Sequence, residues 1–253
     1  ALIALWEWIK PRRQQNTRRV SRWVNNLGLV VVATLLVRLV VPMGLAVIAF
    51  QVQAAGWGLF NHLTLSLWLE IVLALVLLDL AIYWQHRIFH QVPVLWRLHR
   101  VHHSDQAFDV STAVRFHPLE ILLSIFIKAL LVLMLGIPAT AIIIFEVILN
   151  GVALFNHGNI RLPKGWDGVL RSVLVTPDMH RVHHSDIPSE TNSNYGFNLS
   201  IWDKIFGSHT PQPQKGHQHI NIGLKEYSTQ QQSNDFMALL KMPFMGTNKP
   251  GRS

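Results

Sequence analysis

Four long apolar stretches limit this chain to architectures that can house them. Leu27–Phe50 runs for 24 residues with one charge, Arg38. Leu63–Tyr83 carries Glu70 and Asp79, Leu119–Leu135 carries Glu120 and Lys128, and Pro138–Phe155 carries Glu146. A helix needs about 20 apolar residues to cross a hydrocarbon core, with about 17 as the short limit. The first two stretches pass that test. The last two lie near the limit and are joined only by Gly136-Ile137, so they form either a tight hairpin of spans or a pair that does not fully cross. A soluble core would struggle to house all four. Composition agrees: 50% of the residues are hydrophobic and only 14% charged, against about a quarter charged in soluble domains. The expected fold is all-α, an integral-membrane four-helix bundle spanning at about 27–50, 63–83, 119–135 and 138–155.

Loop charge orients the bundle. Lys10, Arg12, Arg13, Arg18, Arg19 and Arg22 precede the first span, and Arg87, Arg97, Arg100 and Arg115 lie in the 84–118 loop. The 51–62 loop and the 136–137 turn carry no Lys or Arg, whereas the segment after 156 carries ten. Basic loops stay cytoplasmic, which puts both termini on that side together with a helical cap built from 84–118 and 156–225 and a tail over 226–253. The whole chain reads as one domain. The net charge of +8 follows membrane flanks rather than a single stripe, so nucleic acid is not an expected partner. The sequence opens on Ala1 without an initiator Met, consistent with a processed or trimmed start, and Ala1–Ile9 lacks the features of a cleavable signal peptide. Charges inside spans usually pair; Arg38–Glu70 and Lys128–Glu146 are at matching depths and are the expected pairs, with snorkelling of the cations as the alternative.

Histidines dominate the polar chemistry. His99-Arg100-Val101-His102-His103-Ser104-Asp105 recurs as His180-Arg181-Val182-His183-His184-Ser185-Asp186, and His86 and His90 precede the first copy at an i, i+4 spacing. Positions i, i+3 and i+4 share one helix face, so each copy aims its imidazoles one way. Neutral imidazole is a ligand for Zn, Fe, Cu and Ni, and the three clusters read as one metal site for more than one ion. Asp79, Tyr83, His86 and His90 fall on one face of a helix continuing from the second span. His157, at the same membrane edge, is the ninth candidate ligand, and His117 a weaker one. His62 lies in the opposite loop, and His209, His217 and His219 read as surface residues. Asp79, Asp105, Asp186 and Asn194 are candidates to hydrogen-bond ligating histidines; Tyr195 and Asp203 are candidate supports of the ligands or the cap. Phe116, Phe155, Trp84 and Phe89 are candidate walls of a substrate pocket. With no cysteine, thiolate zinc sites and iron–sulfur clusters are excluded. Spacing alone does not separate iron from zinc.

The pattern His86-x3-His90, His99-x2-His102-His103 and His180-x2-His183-His184 resembles the fatty acid hydroxylase / sterol desaturase superfamily. Leu95-Trp96-Arg97-Leu98, Asn194-Tyr195-Gly196 and Ile201-Trp202-Asp203-Lys204-Ile205-Phe206-Gly207 extend the resemblance over roughly residues 70–210; it is similar to the bacterial members and, within the animal branch, to the alkylglycerol monooxygenases. It implies a four-span membrane fold with a cytoplasmic cap, in a bacterial inner membrane, and two non-haem irons held by the eight box histidines, with His157 as the additional ligand. It further implies O2-dependent hydroxylation or desaturation of a lipid. A fused cytochrome b5 domain, present in some members, has no room here, so a separate electron donor is expected. Zinc could replace iron in purified protein. The competing classes are a zinc-dependent membrane hydrolase, although no Glu lies inside a box, and a metal transporter or sensor, which would place ligands along the spans. The apolar Phe236–Leu240 piece is expected as a short helix on the membrane or under the cap, and Gly246–Ser253 as disordered.

Overall fold

A computed structural model describes residues 2–15, 17–163 and 165–246. The described residues are helical, with no strand and only the isolated bridges Leu174–Leu199 and Ser185–Ile222. In chain order the α-helices are α1 (Leu2–Ile9), α2 (Arg19–Val40), α3 (Gly44–Ala54), α4 (Leu67–Gln91), α5 (Pro93–His103), α6 (Pro118–Leu135), α7 (Ala139–Asn156), α8 (Trp166–Leu170), α9 (Pro177–His183), α10 (Pro188–Thr191), α11 (Ile201–Ile205), α12 (Gly216–His219), α13 (Gln230–Asn234) and α14 (Phe236–Lys241). The segments Arg19–His62, Leu67–Gln91, Pro118–Leu135 and Ala139–Asn156 are each long and apolar enough to cross a membrane. This is the all-α membrane architecture expected from the sequence.

The first span differs from expectation. Instead of one helix over 27–50, α2 begins at Arg19 and stops at Val40, and α3 starts afresh at Gly44. Pro42 is the cause. A proline has no N–H to donate and disfavours helical geometry in the residue before it; Val41 accordingly sits at φ −126°, ψ 66°. The second span runs on as predicted, so that α4 carries His86 and His90 in its last turns. The hairpin of α6 and α7 also follows the sequence. Gly136 ends α6 at φ +71°, and a Cβ on Gly58 would fall 2.1 Å from its backbone nitrogen, so both positions need glycine.

The apolar core joins α3, α4, α6 and α7 through Leu45, Ala49, Leu78, Val132, Ile142 and Phe145. Helix α2 packs on α6 and is tied to the cap by Arg22, whose guanidinium donates to Asp105 and Asp109 at 2.8–3.0 Å. Of the expected pairs within the spans, Lys128 and Glu146 meet directly. Arg38 and Glu70 do not pair: Glu70 lies in the first turn of α4 and does not line the cavity that Arg38 shares with Lys128 and Glu146. Helix α14 packs under the cap rather than free on a membrane: Leu239 and Met242 are buried against Leu29 of α2 and Val101 of α5. Of the tail expected to be disordered, 247–253 lies outside the described residues.

Candidate metal centre

Four helix ends deliver the histidines. Helix α4 finishes with His86 and His90; α5 starts at Pro93 and ends on His99, His102 and His103. Helix α9 starts at Pro177 behind a Thr176 N-cap and brings in His180 and His183, with His184 as its C-cap. His157 caps the C-terminus of α7. Proline at the first helical position forfeits no hydrogen bond, so α5 and α9 start sharply and set the phase of each box.

All nine of these imidazoles are buried, and they sort into two groups. His86, His90, His99, His103 and His183 form one; His102, His157, His180 and His184 form the other; within each group one nitrogen per ring lies within 4.8 Å of all the rest. The repeated heptapeptide is thus divided between the groups rather than copied into each. His102 and His103, neighbours in sequence, serve different groups, as do His183 and His184.

Six of the nine outer ring nitrogens are held by acceptors, whereas Nδ1 of His180 and His184 is buried without a partner. Nδ1 of His86 donates to the Tyr195 carbonyl at 2.8 Å, that of His183 to the Ser193 carbonyl at 2.6 Å, and that of His90 to Asn192 Oδ1 at 3.3 Å. Nδ1 of His99 donates to Glu120 Oε1 at 2.6 Å. In the second group Nδ1 of His157 donates to the Ala153 carbonyl at 2.8 Å and that of His102 to the Arg115 carbonyl at 3.3 Å. A hydrogen on Nδ1 leaves Nε2 as a bare lone pair. Nε2 of His86, His90, His99, His103 and His183 is buried without a partner. Nε2 of His157 faces Nε2 of His102 at 3.1 Å and Nε2 of His180 at 3.0 Å. Between His102 and His157 neither Nε2 carries hydrogen, so no hydrogen bond joins them; two facing lone pairs need a cation.

Protonation would defeat that role, and the site opposes it. Burial pushes His99 down to about 3 and His157 to about 4, and holds His102, His103, His180, His183 and His184 well below the usual histidine range. The rings are therefore neutral at pH 7, the form that ligates metals. The donor set fits ions that accept imidazole nitrogen: the orphaned nitrogens are buried, convergent and uncharged.

Four carboxylate and amide candidates act differently from expectation. Asp79 touches no histidine; it accepts from the amides of Asn198 and Leu199 and from Trp202 Nε1, anchoring the segment after the third box to α4. Asp105 is taken by Arg22 and Thr112, and Asp186 by Asn221. Each points away from the rings because it lies past the last helical turn of its box. Asn194 works at one remove. It holds the left-handed turn at φ +50°, its amide donating to the carbonyls of Met179 and Thr210, and so presents the flanking Ser193 and Tyr195 carbonyls to His183 and His86. Asp203 accepts from the amides of Tyr195 and Gly196 and steadies the same turn.

His117 caps α6 and contacts the Leu240 carbonyl, outside both groups. His62 lies in the 59–62 turn after α3. His217, expected at the surface, is buried 3.7 Å from Asp178. Glu120 is the residue the sequence did not single out: 21 positions from His99, it looked like a stray charge in a span.

A cavity of about 340 Å³ lies beside the histidines, between α2, α4, α6 and α7. Glu120 lines it while holding His99, and Phe116 lines it while stacking on His102 at 4.3 Å. The cavity therefore reaches each group through one intervening residue, Glu120 for His99 and Phe116 for His102. Of the other wall candidates, Phe89 packs against His99, Trp84 against Tyr83 and Phe206, and Phe155 does not reach the cavity.

An all-helical bundle with four segments long and apolar enough to cross a membrane, whose helix ends converge nine histidines that could hold metal beside a largely apolar cavity, fits the class of membrane proteins with a histidine metal site. The sequence model of the fatty acid hydroxylase family matches residues 71–208, and the chain belongs to that family. It is 28% identical to ornithine lipid hydroxylase OlsE of Rhizobium tropici, over 96% of this chain and 72% of that protein. It is 35% identical to alkylglycerol monooxygenase of Danio rerio over 63% of this chain, and 26% identical to cholesterol 25-hydroxylase of Rattus norvegicus over 55%. The chain covers only 35% and 46% of the lengths of the latter two. No solved structure matches. These relatives are hydroxylating and oxygenating enzymes, and an oxidoreductase activity on lipid is the class they support.

Proposed function

We propose that the chain is a membrane lipid hydroxylase that uses O2 at a pair of irons held by His86, His90, His99, His103 and His183 on one side and His102, His157, His180 and His184 on the other. The observation that carries this is the sorting of nine buried imidazoles into groups of five and four next to a cavity. Both groups fall short of the six donors of an octahedral ion, which leaves positions for small ligands. Bound iron would supply the oxidation of an unactivated C–H bond; the protein supplies ligands, orientation and exclusion of water. Glu120 and the carbonyls of Tyr195, Ser193, Ala153 and Arg115 fix the ring tautomers. Hydroxylation is favoured over desaturation because the relatives named above are hydroxylases and monooxygenases.

The substrate enters sideways from the bilayer, and electrons come from a separate donor protein or soluble reductant. Loop charge supports a cytoplasmic centre, with the site and both ends of the chain on the inner face of a bacterial membrane. The N-terminal segment and the tail do meet the histidine end of the bundle: Arg12 pairs with Asp178, and Arg100 donates to the carbonyls of Met242 and Met245. The spans, the cap and the tail are read as one domain.

The test is metal analysis of anaerobically purified protein together with oxygen uptake on added lipid. About two irons per chain and lipid-dependent uptake are expected. Stoichiometric zinc that iron reconstitution does not displace, with no uptake, would overturn the reading and favour a hydrolase.

A further inference from the structure

The end of the cavity away from the histidines is polar. Arg38 of α2, Lys128 of α6, and Glu146 and Asn150 of α7 all line it. Three independent counts along helices give the depth of this layer. Lys128 lies eight residues beyond Glu120, about 12 Å along α6. Glu146 lies eleven residues before His157, about 16 Å along α7. Arg38 lies twelve residues beyond Asn26, which bonds to Arg115 and Ser111 in the cap, about 18 Å along α2. The polar layer thus sits near the middle of the bundle, one cavity length from the metal centre.

Charge at that depth is unusual and requires a partner. Lys128 and Glu146 neutralise each other. Among the described residues no carboxylate lies within 4.0 Å of Arg38. Arg38 is exposed in the last turn of α2, so its guanidinium is presented at the open side of the cavity end, a fork of donors with no carboxylate against it. A mostly apolar pocket with a few convergent polar groups is the usual form of a site that orients a ligand.

We propose that Arg38, flanked by the Lys128–Glu146 pair and Asn150, forms a subsite for an acceptor oxygen of the lipid substrate, a carboxylate or an ester carbonyl. This rests on the reading of the cavity as the lipid site. Anchoring an oxygen there fixes which carbon of the chain lies against Phe116 and Glu120, so the distance between the two ends of the cavity selects the carbon attacked. An ammonium group would be repelled by Arg38, and a plain alkane would leave it unpartnered.

The test is equilibrium retention of four probes by the metal-loaded protein in lipid nanodiscs, measured above empty nanodiscs: dodecanoate, methyl dodecanoate, dodecane and dodecylamine. At least one of the acceptor probes should be held about tenfold more tightly than dodecane and dodecylamine. Preference for dodecanoate alone assigns a carboxylate, and preference for both assigns a carbonyl. Arg38→Gln should bring the acceptor probes to the level of dodecane with metal content unchanged, and Arg38→Lys should restore them. Equal retention of all four probes, or a preference that survives Arg38→Gln, overturns the subsite. Because retention needs no turnover, such a failure is distinct from a failure to find iron or oxygen uptake.

Discussion

Glu120 accepts a 2.6 Å hydrogen bond from Nδ1 of His99 while lining the cavity, so one carboxylate touches both the candidate metal centre and the space beside it. Its second oxygen is buried without a partner. A carboxylate on the far nitrogen of a ligating histidine fixes the ring and raises its basicity, and losing such a partner costs about 10–100-fold in metal affinity or activity. Glu120→Gln keeps an acceptor but removes the charge. It should weaken metal retention by about tenfold, and Glu120→Ala by up to about a hundredfold. Metal content across graded chelator concentrations measures this; an unchanged titration for Glu120→Ala would show that the carboxylate does not support the ligand.

His157 belongs to no box, yet its Nε2 lies 3.0–3.1 Å from those of both His180 and His102. Removing it takes the second group from four donors to three and leaves the first group of five intact. His157→Ala should therefore lose about one metal equivalent of two while the other remains. Loss of both equivalents at once would mean that the groups bind cooperatively; retention of both would remove His157 from the ligand set.

Asn194 should behave as a positioning residue. Its left-handed backbone costs an ordinary side chain about 1–2 kcal/mol, and its amide bonds lock the turn that serves His86 and His183. Asn194→Gly keeps the backbone permissible and loses only the amide bonds, whereas Asn194→Ala loses both. The expected order of unfolding temperature is wild type, then Gly, then Ala, with metal retention falling in step. Alanine equal to glycine would show that backbone strain is not felt there.

How far this was legible depended on distance along the chain. Features set by local spacing could be read: the i, i+3, i+4 faces of the boxes, the helices over 118–135 and 139–156, and the Lys128–Glu146 pair, eighteen residues apart across a three-residue connection. Features set by long-range contact could not. Asp79 sits on the same helical face as His86, which made it look like a partner of the ring, but the amides it serves come from 120 positions away. Nor could spacing show that adjacent histidines, His102 and His103, serve different groups: a turn of 100° per residue separates them, and only the packing of α9 and α7 decides what each ring meets. The break at Pro42 was the exception, since its signal was in the sequence and the surrounding hydrophobicity outweighed it.

Acid should destabilise the metal-free protein through the same buried rings. His157 is held at about 4 and His99 at about 3 in the folded chain, below the ordinary histidine value of about 6.5. Both groups are depressed bases, so their contribution is complete above about 6.5 and is lost as pH falls towards about 4, where the unfolded chain takes up protons that the folded chain refuses. The denaturation midpoint of chelator-treated protein should be flat above about pH 7.5 and drop between about pH 6.5 and 4, with a smaller drop in His157→Ala. A flat profile across that window would mean that the folded metal-free chain takes up protons at these rings as readily as the unfolded chain.

The Lys128–Glu146 pair gives the last prediction. Lys128 is almost fully buried, while the Glu146 side chain keeps a third of its exposure. Removing one member of a buried pair strands the other charge at a cost of about 3–5 kcal/mol, and the exposure of Glu146 reduces this to about 1–3 kcal/mol here. Glu146→Ala should destabilise by that amount because it strands the buried ammonium. Lys128→Met combined with Glu146→Met should recover most of the loss, since a hydrophobic pair of similar volume replaces both charges. The exchanged pair, Lys128→Glu with Glu146→Lys, should fold better than either single reversal. Thermal unfolding in nanodiscs checks each variant. If the exchange is no better than the worse single change, the two charges are neighbours without stabilising coupling, and the polar layer owes its order to the surrounding helices instead.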